Sequence, residues 1–263
     1  MITVLGATGF VGSEVVRHLQ RIGAEFDAPP RGADLTGRDL GHVLYCIGLT
    51  ADFRQRPYDA VDAHVCKLLD IVRNCTFASL LYLSSTRLYI RKEGVAYEDD
   101  DLVVNPLETE DIYNLSKATG ESIVLSLGTK GRVARLSNVY GPEQKDTFLT
   151  MILDEATTRG TITLRTALSS ERDYISVADV ATLLVKIALH GKERIYNVAG
   201  GQNLTNAEVT AAIAGLTGCT VTVLPDAPPV VFPSLDNSRA RTEFGFTPAR
   251  LLADLPSLVG SRA

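Results

Sequence analysis

Tyr113 and Lys117 stand four residues apart in the stretch YNLSK. On a helix that spacing stacks the two side chains on one face, one turn apart. An isolated phenol titrates near pH 10. A cation one turn away favours the phenolate and lowers that value. A tyrosine so placed can exchange a proton with a carbonyl or hydroxyl while a hydride moves at the same carbon. A Tyr and a Lys on one helix face are also ordinary surface residues. The pair becomes chemistry only if the rest of the chain brings it a second hydroxyl and a redox cofactor.

The first thirty residues supply the place for a cofactor. ITVLG is an apolar run of strand type, GATGFVG follows, and SEVVRHLQRIG carries Val15, Val16, Leu19 and Ile22 at helical spacing. Gly6, Gly9 and Gly12 thus lie in a strand-to-helix turn, the context that makes a glycine triplet a dinucleotide loop. Gly6 allows the tight turn, Gly9 lets the backbone approach a pyrophosphate, and Gly12 allows close packing of the helix. Free N–H groups at the helix start then face the phosphates. Gly6, Thr8, Gly9, Phe10, Val11 and Gly12 are the candidate cofactor contacts of this loop.

The spacing G-x-x-G-x-x-G resembles the fingerprint of the extended short-chain dehydrogenases/reductases, in their nucleotide-sugar branch. Further matches follow in order. Ser85 stands four residues before Tyr89, as the family's active hydroxyl stands before a V-Y-G tyrosine, although the chain has L-Y-I. Tyr113 follows Ser85 by 28 residues, and Lys117 comes four residues later. RVARLSNVYGP resembles R-P-x-N-V-Y-G-P and makes Asn138 a substrate candidate. SSERDYISVADV resembles R-D-[FY]-[IV]-x-V-x-D and makes Arg172 a candidate for the nucleotide diphosphate. DNSRARTEFGFTP resembles the family's closing segment, so the likeness spans nearly the whole chain. It implies Ser85, Tyr113 and Lys117 as catalytic residues, with Tyr113 and Lys117 also touching the cofactor.

The resemblance also locates the cofactor's other contacts. The family's ribose-binding carboxylate falls eighteen residues beyond the last glycine, where this chain has Pro30 followed by Arg31. Arginine there pairs with a 2′-phosphate and favours NADP. Asp27 is the competitor; at the ribose it would favour NAD. Asp34–Leu35 match an adenine-contacting pair that follows the family's third strand, with the usual intervening helix cut out, as in reductases of 4-keto-rhamnose nucleotides. A strand over Val43–Ile47 ends in Gly48, which places Ile47 and Gly48 beside the cofactor and Leu49 and Thr50 in the substrate cleft. A helix over roughly 58–75 carries His64 where the family usually has Asn; a lone His there is assigned no role. Thr86 is a further substrate candidate. Nucleotide-sugar 4,6-dehydratases carry Asp-Glu after the active hydroxyl, whereas this chain has Thr86–Arg87, and a guanidinium is no general base at neutral pH.

The expected fold is α/β: a Rossmann-type doubly wound parallel sheet with a small C-terminal substrate lobe. Residues 1–141 and about 173–197 would form the NAD(P)-binding domain, and about 142–172 and 198–263 the lobe. The chain has 263 residues, 45% hydrophobic and 22% charged, with a net charge of −5, which gives no electrostatic argument for nucleic acid or an anionic membrane. Cys46, Cys66, Cys75 and Cys219 form no C-x-x-C pair, so no metal site or disulfide framework is expected. The N-terminus opens directly into a strand, and a cytoplasmic protein is expected. Members of the resembled family often dimerise, so a homodimer is expected. The leading functional expectation is an NAD(P)-dependent oxidoreductase that reduces a keto group of a nucleotide-activated sugar. The rivals are an epimerase with retained NAD and a non-catalytic NADP-sensing regulator.

Overall fold

The computed structural model describes residues 1–49 and 53–262. In chain order its first half comprises β1 (Ile2–Leu5), α1 (Phe10–Arg21), β2 (Phe26–Asp27), β3 (His42–Tyr45), α2 (Pro57–Val61), α3 (Lys67–Asn74), β4 (Ser79–Ser85), β5 (Val95–Ala96), α4 (Asp111–Leu125), β6 (Gly131–Leu136) and β7 (Asn138–Tyr140). The second half comprises α5 (Phe148–Arg159), β8 (Thr161–Leu164), β9 (Glu171–Ser176), α6 (Val177–His190), β10 (Ile195–Val198), β11 (Asn203–Thr205), α7 (Asn206–Thr217), β12 (Thr220–Val223), β13 (Ser234–Leu235), α8 (Ser238–Phe244) and α9 (Leu251–Gly260).

Six strands form one parallel sheet in the order β10-β6-β4-β3-β1-β2. Its central strands are almost wholly apolar because helices cover both faces. On one face α1 and α6 pack through Val15, Leu19, Val180, Leu184 and Ile187. On the other, α3 and α4 bury Leu68 and Val124 against Val43, Tyr45, Leu80 and Tyr82. A third core joins α5, α7 and α9 through Leu153, Ile213 and Leu255, with the β8–β12 pair beside it.

The chain leaves β1 toward β2 on one side and returns to β3 on the other, so the order reverses at β1/β3. Ligands of open α/β sheets bind beyond the carboxyl ends of strands at such a reversal. There the Gly6 turn presses on the exit of β3: a Cβ on Gly6, whose φ is +85°, would lie 2.9 Å from the Cys46 carbonyl carbon and from the Ile47 nitrogen.

No strand forms between β2 and Asp34; residues 28–38 run as turns and coil. Pro29 and Pro30 lack ladder donors, and Gly32 and Gly37 adopt positive φ, so PPRGADLTG cannot continue a sheet. The helix expected over 58–75 forms from Pro57 but is widened at Asp62–Cys66 by a π-type turn that joins α2 to α3. Among the described residues, no helix is long and apolar enough to cross a membrane.

Helix α4 is held down at two points. Arg135 of β6 donates two hydrogen bonds to Glu121 at 2.9 and 2.6 Å, and both side chains are buried. One residue earlier, Gly120 lies so close to β4 that a Cβ there would meet the Tyr82 hydroxyl at 2.4 Å and the His64 carbonyl at 2.8 Å. Gly120→Ala is therefore expected to lift α4 and destabilise the protein by about 1–3 kcal/mol, read as a lower midpoint in urea unfolding; an unchanged midpoint would refute this packing.

Candidate active site

β4 ends at Ser85, whose backbone turns into a single 3-10 turn over Thr86–Tyr89. The Ser85 hydroxyl accepts the Arg87 N–H at 3.2 Å, which leaves its own proton free to be donated. α4 crosses the same end of β4 and presents Tyr113 and Lys117 to it, each only 4% exposed. Ser85 faces the Tyr113 hydroxyl. Burial raises the Tyr113 pKa, while Ser85 and the Arg87 guanidinium pull it back.

Lys117 lies under the end of β4. Its Nζ donates to the Leu83 carbonyl at 2.7 Å and sits 5.0 Å from the Tyr82 ring centroid. Burial lowers its own pKa to about 7, against an ordinary 10.5. The Arg87 guanidinium favours the Tyr113 phenolate, and the lysine is held under the strand end by its backbone acceptor.

Gly48 follows β3 and abuts both functional helices: a Cβ on it would lie 3.3 Å from His64 Nε2 and 3.5 Å from Lys117 Nζ. Ile47 packs with the α3/α4 core. Leu49 packs with Phe53, Ala60 and Tyr113. Thr50 lies outside the described residues. His64 is fully buried and bonded at both ring nitrogens.

In the glycine loop Gly9 opens α1 and its N–H returns to the Gly6 carbonyl at 3.0 Å. Thr8 is exposed and Val11 half-buried against the α1/α6 core. The Phe10 ring packs toward Gly141. Gly12 packs against the Gly6 carbonyl, which a Cβ would approach to 2.2 Å; it closes the loop on itself rather than fitting helix to sheet. Arg31 is exposed, with no hydrogen bond or ion pair among the described residues. Asp27 accepts from Arg38 at 2.7 Å. Asp34 accepts the Thr36 N–H at 3.0 Å, a local turn contact that holds its carboxyl below the usual range. Leu35 turns inward against the α3/α4 core.

On the substrate side, Thr86 and Asn138 line one small cleft with Asp173, Phe232, Pro233 and Leu235. Thr86 donates to the Leu136 carbonyl at 3.2 Å and Asn138 to the Asp173 carbonyl at 2.8 Å. Arg172 is not part of that lining. It donates to Asn206 at 2.8 Å, lies 4.2 Å from the Phe148 ring centroid, and has no carboxylate partner among the described residues.

A cluster that sequence reasoning missed sits over Tyr113. The Phe53 ring stacks on it with centroids 4.6 Å apart. Arg54 donates to Glu110 at 2.6 and 2.9 Å, and Arg87 donates to the same carboxylate at 2.7 Å. Both guanidiniums also lie over Phe53, at 4.8 and 5.3 Å. Arg54 above all holds Glu110 below the usual carboxylate range. ADFRQR has no periodicity to mark it, and Glu110 is 56 residues from Arg54; only the fold brings them together.

The family model described as "NAD dependent epimerase/dehydratase family" matches residues 2–199, a span that includes the glycine loop, Ser85, Tyr113, Lys117, Asn138 and Arg172. The chain belongs to this family. It is an enzyme of the extended short-chain dehydrogenase/reductase type. A Streptomyces protein described as dTDP-4-dehydro-6-deoxy-D-allose reductase is 27% identical, over 97% of this chain and 93% of its own length. A Streptomyces griseus protein described as dTDP-glucose 4,6-dehydratase is 26% identical, over 96% of this chain and 90% of its own. Among solved structures, MoeE5 in complex with UDP-glucose and NAD shares the fold with a TM-score of 0.79 at 23% identity, covering 99% of this chain and 97% of that one.

The buried Lys117 gives this family member a measurable pH signature. Its folded pKa lies below its unfolded one, so between about pH 7 and about pH 10.5 the unfolded chain binds more protons and stability rises with pH. Relative to Lys117→Met, the wild type should gain on the order of 3 kcal/mol between about pH 7 and about pH 10 in paired guanidinium titrations. A difference that stays flat would contradict the buried, deprotonating lysine.

Proposed function

We propose that this enzyme reduces a keto group of a nucleotide-activated sugar with a reduced nicotinamide dinucleotide. The observation that carries the reading is the meeting of Ser85 and Tyr113 at the carboxyl end of β4, with Lys117 buried beneath them. The loop closed by Gly6 and Gly12 fits a dinucleotide, because the space that side chains would fill is left to backbone N–H groups at the start of α1. Gly6, Thr8, Gly9, Phe10, Val11 and Gly12 would hold the pyrophosphate side, Asp34 and Leu35 the adenine, and Ile47, Gly48, Tyr113 and Lys117 the nicotinamide side. The bound cofactor supplies the hydride.

The remaining chemistry belongs to the chain. Ser85 donates a hydrogen bond to the keto oxygen and Tyr113 delivers its proton there. Lys117, with a pKa near 7, can replace that proton. Thr86 and Asn138 would face the sugar, as would Leu49 and Thr50. Arg172, a half-buried cation without a carboxylate partner, suits the diphosphate. Removal of water needs an acid beside the leaving hydroxyl. Two residues after Ser85 the chain has Arg87, and the nearby Glu110 is clamped by two arginines as a carboxylate, which favours reduction over dehydration.

Arg31 is free to meet a 2′-phosphate, which supports NADP. Asp27, the last residue of β2, supports a second reading: an epimerase that keeps NAD bound.

Purified enzyme with NADPH or NADH and a panel of 4-keto dTDP-, UDP-, GDP- and CDP-sugars should show loss of reduced-nicotinamide absorbance with at least one of them. Tyr113→Phe should slow that reaction by about 10²–10⁴-fold. Arg31→Ala should raise KM for NADPH and leave that for NADH. If no sugar is reduced and denatured protein releases NAD, the epimerase reading replaces this one.

A further inference from the structure

His64 lies in the π-type turn at Asp62–Cys66 and joins two parts of the site that no backbone ladder connects. The Leu49 N–H, in the loop that leaves β3, points to His64 Nε2 at 3.4 Å. A backbone N–H can only donate, so Nε2 is the acceptor and the proton sits on Nδ1. Nδ1 lies 2.8 Å from the Ser116 hydroxyl, which must then accept from it. The Ser116 proton goes to the Tyr113 carbonyl, at 2.8 Å. The directions of all three bonds are thus set by the one group whose role is unambiguous.

The imidazole is also clamped from other sides. Its ring meets Tyr113 edge-on, with centroids 5.3 Å apart. The Tyr82 hydroxyl reaches the His64 carbonyl at 3.5 Å, and the Tyr45 hydroxyl donates to the neighbouring Ala63 carbonyl at 2.6 Å. Gly48 lies between His64 and Lys117 Nζ. Burial first, and the Lys117 charge second, keep this imidazole uncharged, with its pKa lowered to about 2. Widened turns of this kind frequently occur at functional sites.

We propose that His64 is a positioning residue, a neutral Nδ1–H latch that ties the loop after β3, through Ser116, to the backbone of Tyr113. The reading of its consequence rests on the reductase function above: the loop that borders cofactor and substrate moves as one body with the proton donor. A side-chain amide cannot replace the ring fully. Asn reaches the Ser116 side and Gln the Leu49 side, whereas the imidazole presents a donor and an acceptor on opposite edges.

Full-length protein labelled with [15N]histidine, observed by long-range 1H–15N NMR without any sugar, tests the latch directly. One of the four histidines should show the Nδ1–H tautomer, unchanged from about pH 5.5 to about pH 8.5. Its signals should vanish in His64→Asn and shift in Ser116→Ala. With a reducible sugar in hand, His64→Leu should lower kcat on the order of 10-fold while KM changes less, and His64→Asn should recover part of that loss. An Nε2–H tautomer, titration near the ordinary histidine value, or a His64→Leu kcat within about twofold of wild type would overturn the proposal. If His64→Leu fails to fold, the tautomer and its pH independence in the wild type still decide. Protein that reduces no sugar but keeps an untitrating Nδ1–H His64 would sink the reductase reading alone.

Discussion

The site depends on how firmly α4 is pressed against the sheet, and the Arg135–Glu121 pair is what fixes it. Two buried charges are expensive to desolvate, and removing one partner of such a pair typically costs about 3–5 kcal/mol. Here the geometry compensates: the guanidinium meets the carboxylate with two hydrogen bonds and spends a remaining nitrogen on the Tyr89 hydroxyl and the Glu98 carbonyl. Tyr89 passes the contact on to Asn197 of β10. One satisfied polar network therefore runs from α4 through β6 to the sheet edge. A network of that kind specifies position more sharply than apolar packing, because a small slide of the helix would leave buried donors unpaired.

With α4 so fixed, the chemistry of its exposed-looking sequence YNLSK is inverted by burial. A lysine on a solvated helix face would keep its charge at neutral pH. Lys117 is enclosed by β4, Tyr82 and Gly48, and becomes a group that can gain and lose a proton near neutrality. Tyr113 is enclosed by Phe53 and His64, so its proton is held until a hydroxyl or cation nearby favours its release. The Arg54–Glu110–Arg87 cluster closes the same space from above and places a permanent cation near the phenol. Desolvation and a few fixed dipoles, rather than the Tyr–Lys spacing itself, set the protonation behaviour of the pair.

How much could be read beforehand varies from one residue to the next. The glycine turn was legible because strand, turn and helix are local patterns and the glycines sit where backbone must touch backbone. The coil before Asp34 follows from local chemistry: the prolines and glycines of PPRGADLTG warn against a strand. Arg172 was placed by its motif, but its stacking on Phe148 and bond to Asn206 come from α5 and α7, elements far off in the chain. His64 looked like an isolated core histidine, because neither Leu49 nor Ser116 is its neighbour in sequence.

The sequence by itself determined the order of the elements, the dinucleotide turn, and the presence of Ser85, Tyr113 and Lys117 at spacings that one fold family uses. Those are consequences of local periodicity and of residue types that chemistry cannot exchange. Tertiary structure alone decided which groups face one another and how dry their surroundings are. It brought the Arg87 guanidinium to Tyr113, put Phe53 and Glu110 over the site, and fixed the tautomer of His64. Coulomb and desolvation energies depend on distances through space and on exclusion of water, and neither is carried by position along the chain.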